Sequence, residues 1–214
     1  MDRRSFLTLT GASALVPSLA LATQQKAEAP SRLVLDTAFS FGMGGGYDKK
    51  WGGSGVPELI EHKGKRILSK ATGGTYCCGF TFAVCAKVLA QGDALKSKSA
   101  SDMKAFQQAW YGATKISSER QCAFAVERFG LGQEVRPKDA QAGDFVQLWR
   151  KTKKPSGHSV LFLSWIELEG KRIGLHYLSS QGSTDGIGFA TEFFHGTDLP
   201  NARVDPDRIY VARL

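Results

Sequence analysis

Two residues in this chain are of a type, and in a setting, that suits nucleophilic chemistry: a cysteine at the head of an apolar run and a histidine far downstream. From Cys77 to Ala90 the chain reads CCGFTFAVCAKVLA, with Lys87 as its one charge. A helix that is apolar on every side must be buried. Thr72-Gly73-Gly74-Thr75-Tyr76 before it is turn-like, with Thr75 the expected cap. Cys77 then falls in the first helical turn, where unpaired N–H groups and the positive end of the helix dipole favour a thiolate. Such a thiolate needs a base to take its proton.

His158 is the expected base. Strands expected over His158–Ile166 and Arg172–Gln181 meet at a tight turn at Glu169-Gly170, and pairing Ile166 with Ile173 sets His158 opposite Gln181 on one sheet face. A one-residue slip brings Ser180 instead, and Asp185 is a further competitor. A side-chain amide oxygen beside the imidazole would hold the tautomer whose other nitrogen is free. In the same register His176 pairs with Leu163 in mid-hairpin, and His62 and His195 fall in polar, solvated loops. Cys85 and Cys122 read as inert packing; an 85–122 or a 78–122 disulfide is open, because spacing does not decide pairing. No C-x-x-C or H-x-x-x-H spacing occurs, so neither a structural zinc nor any other cofactor is expected.

The elements that must hold these residues follow from composition and period. A chain of 214 residues, 42% hydrophobic and 22% charged, has the apolar material for one globular domain with a real core. Ser101–Tyr111 and Ser118–Phe129 show apolar residues at helical spacing, the second with a Ser118-x-x-Gln121 capping box and a stop at Gly130 and Gly132. They make a helical insertion over 92–132. After the loop 137–144 the period becomes two, and Phe145–Trp149, His158–Ile166, Arg172–Ser180 and Ile209–Leu214 read as strands. Helices followed by an antiparallel sheet make an α+β fold. Gly42–Tyr47 and Trp51–Gly55 are too glycine-dense for helix or strand, and form a loop either beside a substrate groove or mobile on the surface.

The N-terminus is expected to direct export. Arg3-Arg4-Ser5-Phe6-Leu7 and the mildly apolar stretch to Leu21 resemble a twin-arginine (Tat) signal, with an ordinary secretory signal as the alternative, and Ala20-Leu21-Ala22 supplies a cleavage pattern. The chain therefore divides into a signal peptide (1–22), a tether (23–32) and a single domain (33–214), exported to the periplasm or beyond, with no stable membrane span after processing. The net charge of +8 is concentrated in His62–Arg66, Arg150–Lys154 and Lys171-Arg172. These runs lack interleaved aromatics, which argues against nucleic acid as a partner and leaves an anionic envelope polymer or plain solvated loops.

Three short motifs together carry a family resemblance. Tyr76-Cys77-Cys78-Gly79-Phe80 opening a buried helix, Gly143-Asp144-Phe145-Val146 opening a strand, and Gly157-His158-Ser159-Val160 opening the next resemble the ordered motifs of the NlpC-type and CHAP-type cell-wall amidases and endopeptidases, which are papain-like cysteine hydrolases. The resemblance implies a papain-like catalytic domain, with the Cys-bearing helix packed on the sheet. It implies Cys77 as nucleophile, His158 as general base and Gln181 as the orienting residue. Cys78 stays open as the reacting thiol, and Ser180 and Asp185 stay open as the third member. The implied reaction is hydrolysis of an amide, in peptidoglycan peptides or a similar substrate. The oxyanion would be held by the Cys77 N–H and a donor near Tyr76 or Thr75. A non-catalytic module binding envelope polymer or protein on the same fold is one alternative. A transglutaminase-like acyltransferase using Asp185 is another.

Overall fold

The structure is a computed structural model describing residues 29–154, 156–200 and 202–214. The expected signal peptide, and the tether up to residue 28, lie outside the described residues. The chain opens with helix α1 (Ala29–Phe39), so the last residues assigned to the tether are helical. Pro30 in its first turn costs no hydrogen bond, since that N–H would have no helical partner. Val34 and Ala38, four apart, are buried.

The glycine-dense stretch is less irregular than expected. Gly44–Gly45 forms a short strand, β1, and a small hairpin follows from β2 (Ile60–His62) and β3 (Lys65–Leu68). His62 is thus in a strand and half-buried, and its Nε2 meets the Lys98 carbonyl at 2.8 Å, which corrects its assignment to a solvated loop.

Helix α2 (Cys77–Ala90) is buried along nearly its whole length, as an all-apolar helix must be. Its cap is Tyr76, with no side-chain capping bond. Thr75 was expected there, but its hydroxyl is taken by Ser180 at 2.8 Å. Helix α3 (Ala100–Trp110) has a full capping box between Ser99 and Asp102. Helix α4 (Cys122–Phe129) starts later than the Ser118-x-x-Gln121 pattern suggested, because Gln121 takes φ +40° and cannot extend the helix backwards. The buried residues of α3 and α4 share one apolar cluster with α2, and Trp110, Phe106 and Phe82 stack edge to face within it.

The remaining chain is β4 (Gln133–Val135), β5 (Phe145–Arg150), β6 (Ser156–Leu168), β7 (Lys171–Gln181), β8 (Gly186–Phe194) and β9 (Ala202–Arg213). The sheet order is β1-β8-β7-β6-β5-β9-β4, antiparallel except that β8 also pairs in parallel with β9 through Phe193–Ala202 and Phe194–Val204. That joint closes β5 to β9 into a ring. Inside it lies a second apolar cluster, including Val146, Leu148, Val160, Phe162, Tyr177 and Val211. Phe145, Leu161 and Leu178 face outward into the helical cluster. Both faces of the central strands are therefore covered, which is why β5 is buried from Phe145 to Leu148.

The β6–β7 turn has positive φ at Glu169 and Gly170, the geometry a two-residue hairpin needs. Its register departs from the expected one in the middle: Ile166 pairs with Gly174, not Ile173, and His176 with Ser164, not Leu163. A second irregularity restores the expected alignment at Leu161–Leu178, so His158 still runs toward Gln181. The chain is thus a mixed α+β fold with a mostly antiparallel sheet. Among the described residues no helix is long and apolar enough to cross a membrane.

Gly79 lets α2 reach its place. A Cβ there would overlap the Gly55 carbonyl, whose oxygen accepts from the Tyr76 N–H. Gly79→Ala should therefore destabilise by about 1–3 kcal/mol in urea denaturation, despite the better helix propensity of alanine. Gly92→Ala, where a Cβ meets nothing, should stay within about 0.5 kcal/mol of the parent.

Candidate active site

The first turn of α2 abuts one rim of the strand ring and is fastened there by two hydroxyl pairs, Thr75–Ser180 and Thr81–Ser159, each at 2.8 Å. His158 stands on that rim, in register with Leu148 and T-stacked on Tyr177. Its Nε2 lies 3.1 Å from Gln181 Oε1. The amide's Nε2 donates to the Gly188 carbonyl at 3.3 Å, which fixes its oxygen toward the histidine. His158 Nε2 is therefore the donor, which leaves Nδ1 as the free ring nitrogen, and the imidazole holds the nearby Cys77 thiol low. Cys77, His158 and Gln181 are all buried and all line one cleft of about 630 Å³.

Adjacent thiols behave oppositely. The Cys78 thiol donates to Cys77, and that bond, with the His158 imidazole and the Ser159 N–H, holds Cys77 well below the usual thiol range against the penalty of burial. Cys78 is pushed well above that range, because its proton is committed to Cys77 and it too is buried. Of the other candidates for the third position, Ser180 turns to Thr75 on the helix side, and Asp185 is exposed beyond β7 with its backbone in the left-handed region. All four cysteines are free thiols. Burial, with Cys122 nearby, raises Cys85 well above the usual range, and burial pushes Cys122 up to about 12.

The glycine-rich loop does line the groove. Asp48 gathers the N–H groups of Lys50, Trp51 and Gly52 at 2.9–3.1 Å, and β1 pairs with β8. This sets Tyr47 and Trp51 into the cleft wall, with Trp51 stacked on Tyr76 at 5.7 Å. The residues proposed near the oxyanion are engaged elsewhere, with the Tyr76 hydroxyl on the Gly53 carbonyl and Thr75 on Ser180. The Tyr111 hydroxyl goes to the Ser54 carbonyl. Tyr47 lines the cleft together with Cys77 and His158.

Several lining residues escaped the sequence reading, among them Tyr47, Gln147, Arg150 and Arg203. Arg150 looked like the first residue of an exposed basic run. Its place two residues after the inward-facing Leu148 was the signal that it turns into the ring. The Gly143-Asp144 motif has a structural part: buried Asp144 accepts two bonds from Arg213 of β9 and one from the Gln141 N–H. Among the described residues no cluster of three His, Cys, Asp or Glu could hold a metal ion. No family model, curated protein or solved structure matches the chain.

Proposed function

We propose that this protein is an exported, papain-like cysteine hydrolase that cleaves amide bonds, with peptidoglycan peptides as its substrate class. The observation that carries the reaction class is the line Cys77–His158–Gln181 at a helix N-terminus, inside a cleft large enough for a peptide. The Cys77 thiolate attacks the carbonyl carbon. His158 Nδ1 takes the thiol proton and delivers it to the leaving amine, then draws a proton from the water that hydrolyses the thioester. The tetrahedral oxyanion is met by the Cys77 N–H and the Tyr47 hydroxyl. Gln181 acts on the imidazole alone, holding its tautomer and plane. The export part of the proposal rests on the N-terminal Arg3-Arg4 segment and its cleavage pattern.

Purified peptidoglycan incubated with the protein should release soluble fragments carrying one new amine and one new carboxylate per cut, identified by mass spectrometry. Cys77→Ala should abolish release. If a thiol probe shows Cys77 to be reactive while the polymer stays intact, the substrate class is wrong and the reaction class stands.

A further inference from the structure

The cleft has a charged wall that the cysteine mechanism does not use. Arg150 and Arg203 line it, and no acidic side chain among the described residues does. Behind them Glu192, 3% exposed, accepts from Arg150 Nε at 2.7 Å, Arg203 Nε at 2.9 Å and the Tyr177 hydroxyl at 2.6 Å. A second Arg150 nitrogen completes a bidentate pair with Glu192. Two guanidinium groups share one carboxylate, so the wall keeps one positive charge. Arg203 reaches Glu192 through Nε alone and its side chain is 45% exposed, which leaves its terminal amino groups to a ligand. Arg150, at 14%, sits deeper, close enough to Cys77 for their charges to interact.

Gln147 also lines this cleft. Gln147 is 1% exposed, and its Nε2 donates to the Leu148 carbonyl at 3.2 Å, which assigns the other atom as oxygen. That Oε1 has no partner.

We propose that this wall is a carboxylate subsite: the cleft takes an amide substrate bearing a carboxylate near the scissile carbonyl, bound by Arg203 with Arg150 behind it. The proposal rests on the cysteine-hydrolase reading and narrows its substrate to acidic peptides. Planar guanidinium groups suit a carboxylate in geometry as well as charge.

Iodoacetate and iodoacetamide share a leaving group and differ in carboxylate against amide, so their relative rates at Cys77 test the wall directly. Rates are read by peptide mass spectrometry at pH 7, with glutathione in the same buffer as reference. The iodoacetate-to-iodoacetamide ratio should be at least tenfold higher at Cys77 than at glutathione, and should fall as potassium chloride rises from about 0.02 to 0.5 M. Arg203→Ala should lower the ratio at least fivefold, and Arg203→Lys should retain most of it. Because the whole chain carries +8, a high ratio that Arg203→Ala leaves unchanged overturns the subsite. So does a ratio equal to that of glutathione while iodoacetamide still reacts rapidly with Cys77; the hydrolase reading then survives. If neither reagent modifies Cys77, both fall.

Discussion

Iodoacetamide should modify Cys77 at pH 6, where Cys85 and Cys122 in the same protein stay unmodified, and His158→Ala should slow that modification at least hundredfold. Only the thiolate reacts, and a free thiol of pKa about 8.5 is almost wholly protonated at pH 6. Cys77 is held well below that range by Cys78, His158 and the Ser159 N–H, so its profile should remain flat where ordinary thiols lose rate. Removing the imidazole takes away both a hydrogen bond and a charge. A thiol of pKa about 8.5 is roughly 0.3% thiolate at pH 6, so losing the depressed pKa costs on the order of a hundredfold in rate. Cys78→Ala should also move the profile to higher pH, since the Cys78 thiol helps hold Cys77 low. Gln181→Ala should give a smaller shift, because it alters how the ring is held and leaves the ring in place. The measurement is peptide mass spectrometry of alkylation rate between pH 5 and 9. Modification of Cys78 ahead of Cys77 would exchange their roles, and equal rates at Cys77 and Cys85 would remove the nucleophile.

What could be read in the sequence was whatever depends on near neighbours. The apolar run from Cys77 declares a buried helix because no side of it could face water, and Glu169-Gly170 declares a hairpin because the turn needs two residues tolerant of positive φ. The Gln181–His158 bond follows from that hairpin, although two irregularities in the register cancel before the site is reached. What escaped depends on ring closure. β8 opens Gly186-Ile187-Gly188 and carries Glu192 inward, so it lacks the alternation of a strand, and its partners β1, β7 and β9 come from three separate parts of the chain. Arg150 and Arg203 gain their meaning only from sharing Glu192, which no local pattern announces. The Thr75 cap failed for the same reason: a hydroxyl that could have capped locally is taken by Ser180, more than a hundred residues away.

Glu192→Gln should cost about 3–5 kcal/mol at pH 7 in urea denaturation, the loss expected when one partner of a buried ion pair is removed. Burial alone would raise the Glu192 carboxyl; the Arg150 guanidinium and the Tyr177 hydroxyl outweigh it and leave it pushed down to about 2 from an ordinary 4.5. A folded value below the unfolded one makes a contribution that is complete above about pH 4.5 and is lost as pH falls toward 2. The size of that shift corresponds to stability on the order of 3 kcal/mol. Parent and variant should therefore differ most near neutrality and converge between pH 4.5 and 2, a pattern that loss of packing alone does not produce. The double variant Arg150→Met with Glu192→Leu separates the pair from its setting. If the two charges chiefly compensate each other, it should recover much of the stability that Glu192→Gln loses, since apolar replacements of buried pairs are often neutral. Glu192 also interacts with the charge on His158, so its loss reaches the site as well as the fold: Cys77 alkylation in Glu192→Gln should show a shifted pH profile even under conditions where the variant is fully folded.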